Sequence, residues 1–134
     1  MSAFDISFME INDIPESARV LSIAMLNNPL HVAVFEGNGE NERLEIEQMF
    51  VELFTKRPGI VFLMKEDDKI VGVMRMNSCV GKKPEIDSAE VKVRKETPDR
   101  KSVWLAEWAL RDPKEQHWHL GPIGVLPTHR RIGI

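Results

Sequence analysis

Two apolar, β-rich runs, Ile60 to Met64 and Lys69 to Met76, are separated only by the polar stretch Lys65-Glu66-Asp67-Asp68. That spacing lets the chain reverse but leaves no room for a crossover helix, so the runs are predicted to pair as antiparallel strands. A chain that must contain this hairpin needs elements to cover it. Phe4 to Met9 reads as a short strand, followed by Asp13-Ile14-Pro15-Glu16, in which Asp13 caps a helix and Glu16 reaches back to it. Ile14, Ala18, Leu21 and Met25 then recur at helical spacing, and Asn27-Asn28-Pro29 supplies a stop, giving a helix over Pro15 to Leu26. Ile46, Met49, Phe50, Leu53 and Phe54 repeat the helical spacing, with Glu42, Glu45 and Glu52 mostly elsewhere on the wheel, up to Arg57-Pro58-Gly59. The pattern is that of a mixed α/β (α+β) fold, a mostly antiparallel sheet flanked by helices, with the two early helices packed on it.

Beyond the hairpin the signal changes. Val80 to Lys101 is dense in charge, holds Pro84 and Pro98, and specifies no element, so it reads as a mobile insertion. Thr97-Pro98 opens a short helix bearing Trp104, Leu105 and Trp108, which closes at Asp112-Pro113. A last strand, His117 to Val125, leads to the C-terminus. With 134 residues, 43% hydrophobic and 29% charged, the chain suits a single domain. A net charge of −3 gives no reason to expect nucleic acid as a partner. No stretch approaches the roughly 18 apolar residues of a membrane span, and the N-terminus lacks the pattern of a signal peptide. A cytoplasmic protein without a membrane partner is expected. The single cysteine, Cys79, excludes an internal disulfide, and four scattered histidines with one thiol make no zinc pattern, so no metal is expected.

The chemistry concentrates in His119-Leu120-Gly121-Pro122-Ile123-Gly124-Val125-Leu126-Pro127-Thr128-His129-Arg130-Arg131-Ile132-Gly133-Ile134. Pro122 has no N–H, so Gly121-Pro122 within a β-type run predicts a bulge or local splay. Pro127 ends the strand, and the turn that follows carries Arg130 and Arg131 and then a glycine that lets backbone approach a ligand closely. In outline this is a phosphate-binding arrangement.

These residues resemble the GNAT-type N-acetyltransferases. That family carries a strand ending in an aliphatic residue, then Pro, then Gln or Arg, two free positions, Gly, one free position, and Gly or Ala. Val125, Pro127, Arg130, Gly133 and Ile134 follow this order here. The order of elements is similar too, from the opening strand and the Asp-Ile-Pro helix start to a hairpin returning through Lys69-Ile70-Val71-Gly72-Val73. The resemblance covers nearly the whole chain apart from Val80 to Lys101. The family's last motif position would be residue 135, so it implies the N-terminal part of the acyl-CoA N-acyltransferase fold, incomplete at the C-terminus.

The implied activity is direct acetyl transfer from acetyl-CoA to an amine, on a small molecule or a peptide, without an acyl-enzyme and with no role for Cys79 as nucleophile. The pantetheine arm would lie along the backbone of Ile123, Gly124 and Val125, and the diphosphate on Arg130, Arg131, Ile132, Gly133 and Ile134. A backbone N–H near Val125 would polarise the thioester carbonyl. The general base is open, with His119, His117 and Glu107 as candidates. Without the family's C-terminal half, activity is expected to be impaired, and the sequence has no tyrosine to serve as the acid used by many members. The last strand would then present an open apolar edge, which favours a homo-oligomer. The alternative is a non-catalytic module acting in self-association. Trp104 and Trp108, four residues apart, read most simply as packing, and the other reading is the lining of an acceptor pocket. Met64, Met74 and Met76 read as core filler, and the acidic face at Glu42, Glu45 and Glu52 as solvated.

Overall fold

The computed structural model describes residues 3–79, 99–111 and 113–132. Strand β1 (Phe4–Phe8) is followed by a single 3-10 turn (Ile11–Asp13) and by helices α1 (Ile14–Met25), α2 (Pro29–Phe35) and α3 (Glu40–Lys56). Strands β2 (Ile60–Glu66) and β3 (Lys69–Cys79), helix α4 (Arg100–Arg111) and strand β4 (His117–Val125) complete the order. The four strands form one antiparallel sheet in the order β1-β2-β3-β4. The hairpin expected from the sequence is present, and its turn closes on Asp67 and Asp68, both at positive φ (49° and 69°). That is the geometry whose twist matches paired strands, and aspartate tolerates it better than most side chains.

Several local expectations differ from the fold. The stop at Asn27-Asn28-Pro29 is also a start. Asn28 Oδ1 accepts from Leu30 N at 2.9 Å, Pro29 occupies the first turn, and α2 runs to Phe35. Asp13 does not cap α1 through its side chain; its carboxylate accepts from Glu10 N at 2.9 Å, closing the preceding 3-10 turn. Glu16, expected to reach back to Asp13, instead accepts from Ile70 N at 3.2 Å and ties α1 to β3. Arg100 and Lys101 belong to α4, capped by Asp99, which accepts from Lys101 N at 3.2 Å and from the Ser102 hydroxyl at 2.7 Å. The rest of the expected insertion, residues 80–98, and the proposed helix opening at Thr97-Pro98 lie outside the described residues.

Residues paired across strands share a face of the sheet. One face carries Val61, Leu63, Val73 and Gly124 and is covered by α1, which in turn packs on α3. Leu21, Ile46, Phe54 and Leu63 are fully buried there, each contributing roughly 1.5 to 3 kcal/mol of transfer free energy. Gly124 has a specific role: a Cβ at this position would lie 3.0 Å from both the Ala24 Cβ and the Leu21 Cδ2. The absence of a side chain lets α1 sit directly on β4. The second face carries Ile6, Phe8, Phe62, Met64, Met74, Met76, Leu120, Trp118 and Ile123. Ile6, Phe8 and Trp118 are 69%, 66% and 61% exposed. Met64, Met74 and Met76 are therefore half-buried members of a largely open face, not core filler.

Helix α4 docks on α2 through aromatic contacts. His31 of α2 is buried with its ring centroid 5.4 Å from that of Trp104, and it also meets Phe35 and Phe50. Trp104 thus serves packing, as read from the spacing, and Trp108 stacks edge-on against it at 5.1 Å while remaining half exposed.

Candidate functional site

The sheet ends at β4, whose second edge pairs with no other described strand. Along its inner edge β4 is bound to β3 in two stretches that differ by one residue. Met76 faces Leu120 and Met74 faces Ile123, so Gly121 and Pro122 together oppose Arg75. The bulge expected from Gly121-Pro122 is therefore present, and it has the form of two residues against one. Gly121 adopts a φ of 154°, a conformation that side chains disfavour, and the Gly121-Pro122 peptide is cis. The Arg75 guanidinium crosses from β3 and donates to Gly121 O at 3.2 Å.

Past the bulge, Ile123, Gly124 and Val125 rejoin the ladder with β3, and Leu126 N continues it by donating to Val71 O at 2.9 Å. Pro127–His129 then form one 3-10 turn, closed by His129 N to Leu126 O at 2.8 Å. Two side chains, His129 and Arg130, pin this turn to the body of the protein. His129 Nε2 lies 3.0 Å from Glu66 Oε1 at the end of β2, and its Nδ1 lies 2.7 Å from the Thr128 hydroxyl. A carboxylate only accepts, so Nε2 carries the proton. Arg130 donates from Nε to Val125 O at 3.2 Å and from Nη2 to Ala24 O at 2.8 Å, satisfying a carbonyl in the last turn of α1. From the sequence alone both arginines read as phosphate-binding cations. Both are exposed, but Arg130 is bonded to backbone carbonyls, whereas Arg131, at a φ of 63°, extends the turn beyond it. Ile132 is exposed beside it, and Gly133 and Ile134 lie outside the described residues.

His117 and His119 lie on the helix-covered face of β4, paired with Cys79 and Asn77. The His119 imidazole rests against the bulge: a Cβ added to Gly121 would lie 3.4 Å from its Nε2. His117 Nδ1 lies 2.7 Å from Glu115 O, which fixes the proton on Nδ1 and leaves Nε2 as a buried acceptor with no hydrogen-bond partner among the described residues. Glu107, the third candidate, is on α4, which packs on α2; its carboxylate lies 3.9 Å from Arg111. The structure thus brings His119 to the bulge. Among the described residues no group of three or more metal-ligating side chains is arranged around a common point, and no helix is long and apolar enough to cross a membrane.

Comparison with solved structures shows that the fold is that of GNAT-family acetyltransferases. A GNAT family acetyltransferase from Brucella melitensis, solved in complex with acetyl-CoA, matches with a TM-score of 0.54 at 14% identity, over 98% of this chain and 60% of its own. A mosquito arylalkylamine N-acetyltransferase like 5b matches with a TM-score of 0.60 at 17% identity, over 96% of this chain and 63% of its own. The sequence itself matches no family model and no curated protein. At these identities the likeness establishes the fold, and this chain spans about three-fifths of the length of either protein.

Proposed function

We propose that this chain binds acetyl-CoA along the free edge of β4 and the 127–132 turn, and acts in N-acetyl transfer from acetyl-CoA to an amine. The observation that carries the reading is β4 itself. Its inner edge is bulged at Gly121-Pro122, its outer edge carries no described partner strand, and its C-terminal turn is pinned so that Arg131 faces solvent. Backbone groups of Ile123, Gly124 and Val125 would hold the pantetheine arm. The turn from Arg130 to Ile134 would take the diphosphate, through amides and the Arg131 side chain.

The reaction needs no covalent enzyme intermediate. The acceptor nitrogen attacks the thioester carbon, the C–N bond forms, the C–S bond breaks, and coenzyme A departs as thiolate. A backbone N–H near Val125 aimed at the carbonyl oxygen would stabilise the developing charge, an effect worth roughly 3 kcal/mol per donor in enzymes. The proton lost by the amine goes to a general base. His119, beside the bulge, fits this role better than His117, which uses Nδ1 on Glu115 O, or Glu107, which sits on another element.

Calorimetric titration with acetyl-CoA tests the reading. Saturable binding is expected in the native chain, weakened roughly tenfold or more by Arg131→Glu, because a charge-assisted phosphate contact is worth about 1.5 to 3 kcal/mol. Heats that never saturate, or binding indifferent to Arg131→Glu, would overturn the site assignment. A second reading, self-association without catalysis, is favoured by the open apolar face of the sheet, on which Ile6, Phe8 and Trp118 are mostly exposed.

A further inference from the structure

Of the described lysines and arginines only Arg75 is buried, at 6% exposure. It sits near the centre of β3, in a run whose other residues are Ile70, Val71, Gly72, Val73, Met74 and Met76. No described carboxylate pairs with it. Its guanidinium instead meets three neutral oxygens: Arg57 O, at 3.0 Å from Nε and 2.7 Å from Nη2; Asn77 Oδ1, at 3.0 Å from Nη1; and Gly121 O, at 3.2 Å from Nη1. Burial and the neighbouring Arg57 both act against its charge. Keeping an unpaired cation inside a protein is unfavourable, and an apolar residue would fill the same space without that penalty.

The three oxygens explain what the cation does there. Arg57 O belongs to the C-terminal cap of α3, where the helix dipole favours positive charge. Gly121 O belongs to the bulge of β4, where the ladder slips by a residue and Pro122 offers no N–H. One rigid, planar group therefore ties α3, β3 and the bulge together, which a lysine ammonium lacks the fork geometry to do.

We propose that Arg75 is a positioning residue for the acyl donor: by holding Gly121 O inward it sets the bulge, and with it the outward backbone groups of Ile123 to Val125. The inference rests on the acetyl-CoA reading above and adds to it a dependence of the pantetheine half of the site on β3. The nucleotide half, on the 127–132 turn, is held separately by His129 and Arg130.

That division supplies the test. NMR-detected titrations compare acetyl-CoA with 3′-phospho-ADP, the nucleotide half of coenzyme A without pantetheine, in native, Arg75→Met and Arg75→Lys chains. Arg75→Met is expected to weaken acetyl-CoA by about tenfold, the scale of one lost hydrogen bond to a charged group, and to leave the nucleotide within about twofold. Arg75→Lys is expected to fall between. Equal weakening of both ligands would reduce Arg75 to a general structural role, and no weakening of either would remove its role altogether. If Arg75→Met does not fold, the comparison is decided by Arg75→Lys, in which a selective loss of acetyl-CoA supports the proposal and a uniform or absent loss overturns it. A native chain that binds neither ligand overturns the acetyl-CoA reading itself, and this inference with it.

Discussion

At Gly124 the close approach of α1 to β4 leaves no room for a side chain. Because a Cβ there would already stand 3.0 Å from Ala24 and Leu21, Gly124→Val must push α1 off the strand. Overpacking of this kind typically destabilises by about 1 to 3 kcal/mol, and chemical denaturation is expected to show a loss in that range. A midpoint unchanged from native would mean that α1 does not rest on β4. Arg130→Ala removes two bonds to backbone carbonyls, Val125 O and Ala24 O, and each such charged hydrogen bond contributes about 1.5 to 3 kcal/mol at most, less at an exposed site. It is expected to raise amide exchange at Val125 and Leu126 and to weaken acetyl-CoA in parallel, since the turn loses its anchor. The motif containing Arg130 is legible in the sequence because Pro, Arg and Gly stand at fixed offsets. The direction in which Arg130 points is not, because its acceptor Ala24 is 106 residues away in the chain. Arg75 gives even less warning. A lone arginine in an apolar strand run reads as an exposed position of the pleat, and only the fold reveals three carbonyl-type oxygens around it.

The strands were legible because their signal is local: alternation, β-branched residues and polar turns fix β2, β3 and β4, the last with the boundaries read from sequence. Helix α2 was hidden by its shortness. Asn-Pro ends one helix and begins the next, and seven residues carry too little periodicity to separate the two meanings. Its missed member His31 matters for stability, because it is buried among Phe35, Phe50 and Trp104 and burial lowers its pKa below the ordinary 6.5. A folded state that disfavours the proton is stabilised relative to the unfolded chain at pH above 6.5, and that stability is lost as the pH falls below it. Arg100, which binds Ala33 O on the same helix as His31, is itself paired with Glu36 at 3.2 Å, and burial is the cause of the shift at His31. The melting temperature is therefore expected to drop between pH 7 and pH 5.5, with a shallower slope in His31→Phe. An identical slope in the variant would assign the acid sensitivity to other groups.

For the molecule as a whole the second face of the sheet is the distinguishing feature. Helix α1 covers the first face with α3 packed on it, while apolar side chains from β1, β2, β3 and β4 stand together, many of them largely exposed, on the other. Typical monomers keep their largest apolar patch to about 300 to 600 Å², and wider ones mark association surfaces. β4 adds an edge without a described partner strand, which favours pairing with a second chain. Concentration-dependent association at tens of micromolar is therefore expected in sedimentation velocity. Ile6→Lys and Ile123→Lys, on β1 and β4, test which feature drives it. Both residues are more than half exposed, so their replacement removes little packing and should leave the melting temperature nearly unchanged. If the face is responsible, both variants shift the protein toward monomer; if the β4 edge is responsible, Ile123→Lys acts and Ile6→Lys does not. A native chain that remains monomeric at several hundred micromolar would show that neither feature supports self-association, and the non-catalytic reading of the fold would lose its one physical argument.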